Sequence, residues 1–212
     1  MVWALFRLWL VVGVLFSPMA SRPFQQLIDH SLEAIACLRG LEEAVASAST
    51  LMAQALASGR KILCCGNGGS AAESGHLATE LLCRLDKDRR ALPALNLSGD
   101  SSFLTATAND YTFEEVFARQ VAGLGQEGDV LVVFTTSGHS PNVLRALAVA
   151  RAQGLHSIAL LGRDGGAAAA LADIPLIVPV SATMHIQEAH QVLLHILCVQ
   201  IEAILFPGLA ES

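Results

Sequence analysis

Charge is scarce in this chain. Lys and Arg number 13 against 19 Asp and Glu in 212 residues, a formal net charge of −6, and no basic run occurs anywhere. Such a chain has no electrostatic footprint for non-specific nucleic-acid binding, so nucleic acid is not expected as a direct ligand. Cysteine is sparse and unpatterned: Cys37, Cys64, Cys65, Cys83 and Cys198 are odd in number and form no C-x-x-C pair. Neither a disulfide framework nor a cysteine zinc site is expected, and the thiols read as small hydrophobes in a reducing compartment. Internal repeats, linkers and low-complexity stretches are also missing. What is there is apolar, with 53% hydrophobic residues, enough at this length for one sizeable core and against disorder.

The amino-terminal residues divide from the rest. Residues 1–16 are apolar apart from Arg7, and Ser17-Pro18-Met19-Ala20-Ser21 comes next. The pattern is that of a short signal peptide, too short for a membrane span. The competing reading starts translation at Met19, and it is preferred because residues 21–212 read as a cytoplasmic domain. The expected organisation is an apolar extension over 1–20 and a single domain over 21–212, with no membrane association.

From there the pattern alternates. Helical spacing over 23–38 and 41–57 gives an amino-terminal helix pair. Short apolar runs then predict strands over 61–65, 94–97, 129–134, 157–161 and 175–178. Helices are expected at 70–85, 101–107, 112–124, 141–152, briefly after Gly165-Gly166, and at 184–205. Continuous rather than alternating apolar strands imply cover on both faces. The expected fold class is α/β: a doubly wound five-stranded parallel sheet flanked by helices, with the helix pair in front and a long carboxy-terminal helix behind.

Two loops at strand ends carry the chemistry. The first, C-G-N-G-G-S over 65–70, turns on glycines after a strand and opens a helix at Ser70. A glycine turn leading into a helix N-terminus is an anion site, because backbone N–H groups and the helix dipole favour negative charge. The second, Thr135 to Asn142, reads T-T-S-G-H-S-P-N, with Ser140 placed to cap the next helix and Pro141 at its first position. Ligands in open α/β sheets sit outside the carboxyl ends of strands, so both loops are expected to face one phosphate-binding crevice.

His76 and Glu80 stand four apart on the helix after the first loop, either as a surface pair or as half of a site. The last helix sets Gln187, Glu188, His190, Gln191 and His195 among apolar residues. Imidazole, amide and carboxylate groups from two helices suit a zinc-like ion. Spacing does not choose among them: Gln187, Gln191 and His195 recur at steps of four, while Glu188 shares a face with His195 better than Gln187 does.

C-G-N-G-G-S followed by H-x-x-x-E, then T-S-G-x-S-x-N, then I-Q-E-x-H with a later H-I-L, resembles the sugar isomerase (SIS) domain over residues 23–207. More narrowly, it resembles the phosphoheptose isomerases. The resemblance implies one Zn²⁺ per subunit on His76, Glu80, Gln187 and His195, and an acid–base pair of Glu80 and His195. It implies phosphate and substrate contacts at Asn67, Gly68, Ser70, Arg84, Asn109, Asp110, Thr136, Ser137, Ser140 and Gln187. It further implies a homotetramer with active sites between subunits, acting on sedoheptulose 7-phosphate.

Departures are Thr135, where some members have Ser, and Met184-His185, where some have Asp-Arg. Non-catalytic SIS proteins that bind the replication initiator DnaA share L-T-A-x-A-N-D over 104–110 and the L-F-P ending at 205–207. Those proteins are expected to lack the last-helix histidine, so His195 favours catalysis. Another sugar-phosphate isomerase or sensor is the remaining alternative. Gly69 stands where arabinose 5-phosphate isomerases carry Lys, and no DNA-binding segment is appended.

Overall fold

The computed structural model describes residues 23–209, so the 1–20 extension and the start-site question at Met19 lie outside the described residues. Two helices open the chain, α1 (Phe24–Ala36) and α2 (Glu42–Ala57), joined by a 3-10 turn at Cys37–Leu41. The sheet then alternates with helices: β1 (Ile62–Gly66), α3 (Gly69–Leu82), β2 (Ala94–Asn96), α4 (Ser101–Asp110) and α5 (Glu115–Leu124) come first. They are followed by β3 (Val130–Thr135), α6 (Pro141–Ala152), β4 (His156–Gly162), α7 (Gly166–Leu171), β5 (Ile174–Val178) and α8 (Thr183–Leu205).

All four strand pairings among the described residues are parallel, in the order β2-β1-β3-β4-β5. Every residue of β1 and β3 is buried, which explains their continuous apolar sequences. One face of the sheet, through Ile62, Val132, Phe134 and Leu160, packs on α1, α2, α3 and α8. The opposite face, through Leu63, Val133 and Leu161, packs on α5, α6 and α7. The doubly wound five-stranded sheet is as expected.

The α8 helix is the one described helix long and apolar enough to cross a membrane. It instead contacts α1, α2 and α3, and its buried side, Ile186, Ala189, Leu193, Leu194 and Leu197, belongs to the core.

Element ends differ from the sequence reading in instructive places. The helix expected at 70–85 stops at Leu82, and that expected at 101–107 runs on to Asp110, placing Asn109 and Asp110 in its last turn. Ser140 occupies the N-cap position of α6, but its side chain makes no cap bond. Its Oγ lies 3.3 Å from Thr135 Oγ1 instead, so the hydroxyl faces the loop rather than the helix.

Candidate active site

The order of the strands reverses between β1 and β3, and the crevice at their carboxyl ends is the place where such folds bind ligands. Both loops are found there. The chain leaves β1 through Asn67 and Gly68, and Gly68 takes φ 57° and ψ −121° at the N-cap of α3. That conformation suits glycine alone among the common residues. Ser70 is buried in the first turn. The second loop leaves β3 with Thr135 Oγ1 accepting from Gly138 N (3.2 Å) and Ser137 Oγ accepting from His139 N (3.2 Å).

The loops are tied across the reversal by a reciprocal amide pair. Asn67 Nδ2 donates to Asn142 Oδ1, and Asn142 Nδ2 donates to Asn67 Oδ1, both at 2.9 Å. On the far side, Ser98 Oγ accepts from Gly66 N (3.1 Å) and donates to Gly66 O (2.9 Å), fixing the end of β1 to the chain beyond β2. The result is a crevice of about 240 Å³ lined by Asn67, Gly69, Ser70, Phe134, Thr135, Thr136, Ser137, Ser140, Thr183 and Gln187. Hydroxyls and the opening turn of α3 surround it, which is the chemistry a phosphate dianion requires. Gln187 closes one wall: a Cβ on Gly69 would overlap its amide, so that glycine lets α8 approach the loop.

A second group of polar side chains gathers between α3 and α8. His76 Nε2 lies 3.0 Å from Glu80 Oε1 and 3.3 Å from His195 Nε2. The two imidazoles meet edge to face, with centroids 4.9 Å apart. Donor atoms of His76, Glu80 and His195 all fall within 4.8 Å of one another, and the three residues are half-buried. His76 Nδ1 is 2.8 Å from Gln191 Oε1. An amide oxygen only accepts, so Nδ1 donates to it, and Nε2 is the ring nitrogen turned to Glu80 and His195. This nitrogen-and-oxygen donor set, with an outer amide orienting one imidazole, fits zinc.

The structure thus separates candidates that spacing leaves equal. His195 joins the cluster rather than serving as a satisfied core histidine. His190 stays in the core outside the cluster, with Nε2 3.1 Å from Leu161 O and Nδ1 3.6 Å from the buried Glu73 carboxylate, without a hydrogen-bond partner of its own among the described residues. Glu188 turns away to His185 Nδ1 at 2.9 Å. Burial raises the Glu188 carboxyl, but hydrogen bonds from His185 and Ser31 outweigh it and hold the group below its ordinary value. Gln187 stands in the crevice, and the glutamine bonded to His76 is Gln191. Sequence reasoning leaves Gln191 among the last-helix candidates without choosing it, and does not name Asn142 or Thr183 as site residues. For Gln191 the one signal is its place a turn after Gln187 on a polar stripe. Arg84, Asn109 and Asp110 do not line the crevice; all three are exposed, and Asn109 Nδ2 donates to Asp110 Oδ1 at 2.8 Å.

The cysteines supply no nucleophile to the cluster. Burial pushes the Cys64 and Cys65 thiols well up, and burial plus the Glu80 and Glu202 charges push Cys198 up to about 12.

Residues 25–162 match the model of the SIS domain family. The chain is also 49% identical over 174 residues to the phosphoheptose isomerase of Nitratiruptor, covering 82% of this chain and 93% of that one. This chain belongs to the SIS-domain family, in its phosphoheptose isomerase branch. A phosphoheptose isomerase of Shewanella oneidensis is 45% identical over 187 residues, covering 87% of this chain and 93% of that relative. Among solved structures, a phosphoheptose isomerase from Francisella tularensis superposes with TM-score 0.81 at 40% identity, covering 84% and 95% of the two chains. One from Neisseria gonorrhoeae gives 0.77 at 42% identity, covering 84% and 98%. More distant SIS folds, in structures under 25% identical to this chain, share the architecture alone. These comparisons lend no support to the initiator-binding alternative.

Proposed function

We propose that this SIS-domain chain is a phosphoheptose isomerase, converting D-sedoheptulose 7-phosphate to D-glycero-D-manno-heptose 7-phosphate as the opening step of heptose biosynthesis. The observation that carries the reading is His195, which comes from the far end of the chain to stand beside His76 and Glu80. The crevice between the β1 and β3 loops would hold the phosphate, fixing the sugar through a group that does not react. Glu80 takes a proton from C1 of the ketose and, as an exchangeable carboxyl group, delivers a proton to C2. His195 moves the hydroxyl proton from O1 to O2, so the intermediate is an enediol and the product an aldose.

Zinc would be held by His76, Glu80 and His195, with Gln187 as the fourth candidate implied by the resemblance. When bound it would polarise the carbonyl and stabilise charge on the oxygens. Gln191, bonded to His76 Nδ1, holds that ring with Nε2 toward the site.

A homotetramer fits the apolar side chains left exposed on α1 and α8, among them Phe24, Leu32, Val199 and Ile204. Arg84, Asn109 and Asp110, exposed in one subunit, would then reach substrate at a subunit boundary. A phosphorylated substrate fits an enzyme of the cytoplasm.

The testing experiment is incubation of purified protein with sedoheptulose 7-phosphate, with arabinose 5-phosphate in parallel. Aldose formation from the heptulose with little from the pentose is the expected result. The reverse preference would move the chain to another sugar-phosphate isomerase.

A further inference from the structure

The α3 helix, which carries both His76 and Glu80, ends without an ordinary cap. Cys83 follows its last residue with φ −89° and ψ −93°, and the cap bond there is Cys83 N to Thr79 O. No glycine in left-handed conformation is there to turn the chain and satisfy the final carbonyls. Arg89 does so instead. Its Nη2 donates to Glu80 O (2.7 Å), and its Nη1 donates to Leu81 O (2.8 Å) and Cys83 O (3.2 Å). A guanidinium at this end also complements the helix dipole. The side chain is 1% exposed and its Nε donates to Glu202 Oε1 at 2.8 Å.

Glu202 lies on α8, seven residues and two turns beyond His195, hence on the same face. Arg89 therefore bonds the backbone of one member of the acid–base pair and, through Glu202, the helix that carries the other. Cys198 lies amid the same charges, feeling Glu80, Glu202 and Arg89 together.

We infer that Arg89, held by Glu202, is a positioning residue that sets the placement of Glu80 relative to His195. The inference rests on the isomerase reading. It does not involve the phosphate crevice, whose walls come from the β1 and β3 loops and the start of α8. Lysine cannot replace it, because a single ammonium cannot span two helix carbonyls and a carboxylate as a planar fork does.

The test measures kcat and KM for sedoheptulose 7-phosphate in Arg89→Lys and Glu202→Gln, normalised to folded protein by thermal unfolding. Displacement of a reacting group by about 1 Å costs on the order of 100-fold. Arg89→Lys is therefore expected to lower kcat by roughly 10- to 100-fold with KM within about twofold. Glu202→Gln, which keeps an acceptor but not the charge, should show a smaller fall of the same kind. In a Glu80→Gln background, Arg89→Lys should have little further effect, because the group it positions is already gone.

Unchanged kcat in folded Arg89→Lys, or an undiminished effect in the Glu80→Gln background, overturns the inference and leaves a structural cap only. Should Arg89→Lys fail to fold, Glu202→Gln decides, and wild-type kcat in it overturns the inference. An inactive wild type would instead overturn the isomerase reading, a distinguishable outcome.

Discussion

Replacing His195 by alanine is expected to lower kcat for sedoheptulose 7-phosphate by roughly 10²–10⁴ with only a modest change in KM. The expectation follows from where the side chain lies. His195 Nε2 is 3.3 Å from His76 Nε2, and His195 is not among the residues lining the crevice that would grip the phosphate. Its loss removes a proton-transfer group without touching the crevice. The α8 helix should tolerate the change, since His195 is half-buried and its neighbours Leu193, Leu194 and Leu197 carry the core contacts. Glu80→Gln should fall in the same range, because the amide keeps the shape of the carboxylate but cannot take a proton. The two losses should not add when the variants are combined, since the groups act as one unit. Steady-state kinetics on the single and double variants check all three statements.

The second large effect is expected at Gly138, and it acts on the fold of the crevice. Gly138 adopts φ 67°, and a Cβ there would overlap the carbonyl of Gly165 and press on Gly166 N. Its own carbonyl accepts from Ala168 N at 3.0 Å, so the hydroxyl loop is stacked directly on the turn that starts α7. A β-branched side chain must both strain the backbone and push the two turns apart. Gly138→Val is expected to cost roughly 2–4 kcal/mol, a fall in unfolding midpoint on the order of 10 °C. Thermal unfolding of the variant checks the cost. Protein that remains folded should show a raised KM, because Ser137 and Ser140 move with the loop. Gly40→Ala provides the control, since a Cβ there meets nothing within 4 Å.

The strands and the two loops were legible in the sequence for a physical reason. A strand buried on both faces must be continuously apolar, and a chain that turns from such a strand into a helix around a phosphate needs glycine and hydroxyls there. Residues 130–142 satisfy both conditions, as do residues 62–70. Helix ends were less legible, because their stop signals came from tertiary structure. At the end of α3 the carbonyls of Glu80 and Leu81 are taken up by the guanidinium of Arg89 rather than by a local cap. A rule based on glycine and proline does not register it.

The candidate site divided in the same way. His76 and Glu80 lie one turn apart on one helix, so their meeting was readable locally. Their pairing with His195 came from the family resemblance, because no local pattern encodes that α3 and α8 pack side by side. The same gap left Gln191 undecided. On the helix surface Gln187 and Gln191 are equivalent, and only the packing sends the first to Gly69 and the second to His76 Nδ1. Ser140 departs from expectation for a related reason: a serine before proline at a helix start is usually a cap, but here Thr135 lies within reach of its hydroxyl.

Running the reaction on sedoheptulose 7-phosphate in D₂O and reading carbon 2 of the product by NMR tests most directly whether Glu80 and His195 carry an enediol isomerisation. The expected product is an aldose 7-phosphate with deuterium at carbon 2, because the proton removed from carbon 1 passes through an exchangeable carboxyl group. Product bearing only the substrate's own hydrogen at that carbon, or no product from folded protein, would contradict the enediol route.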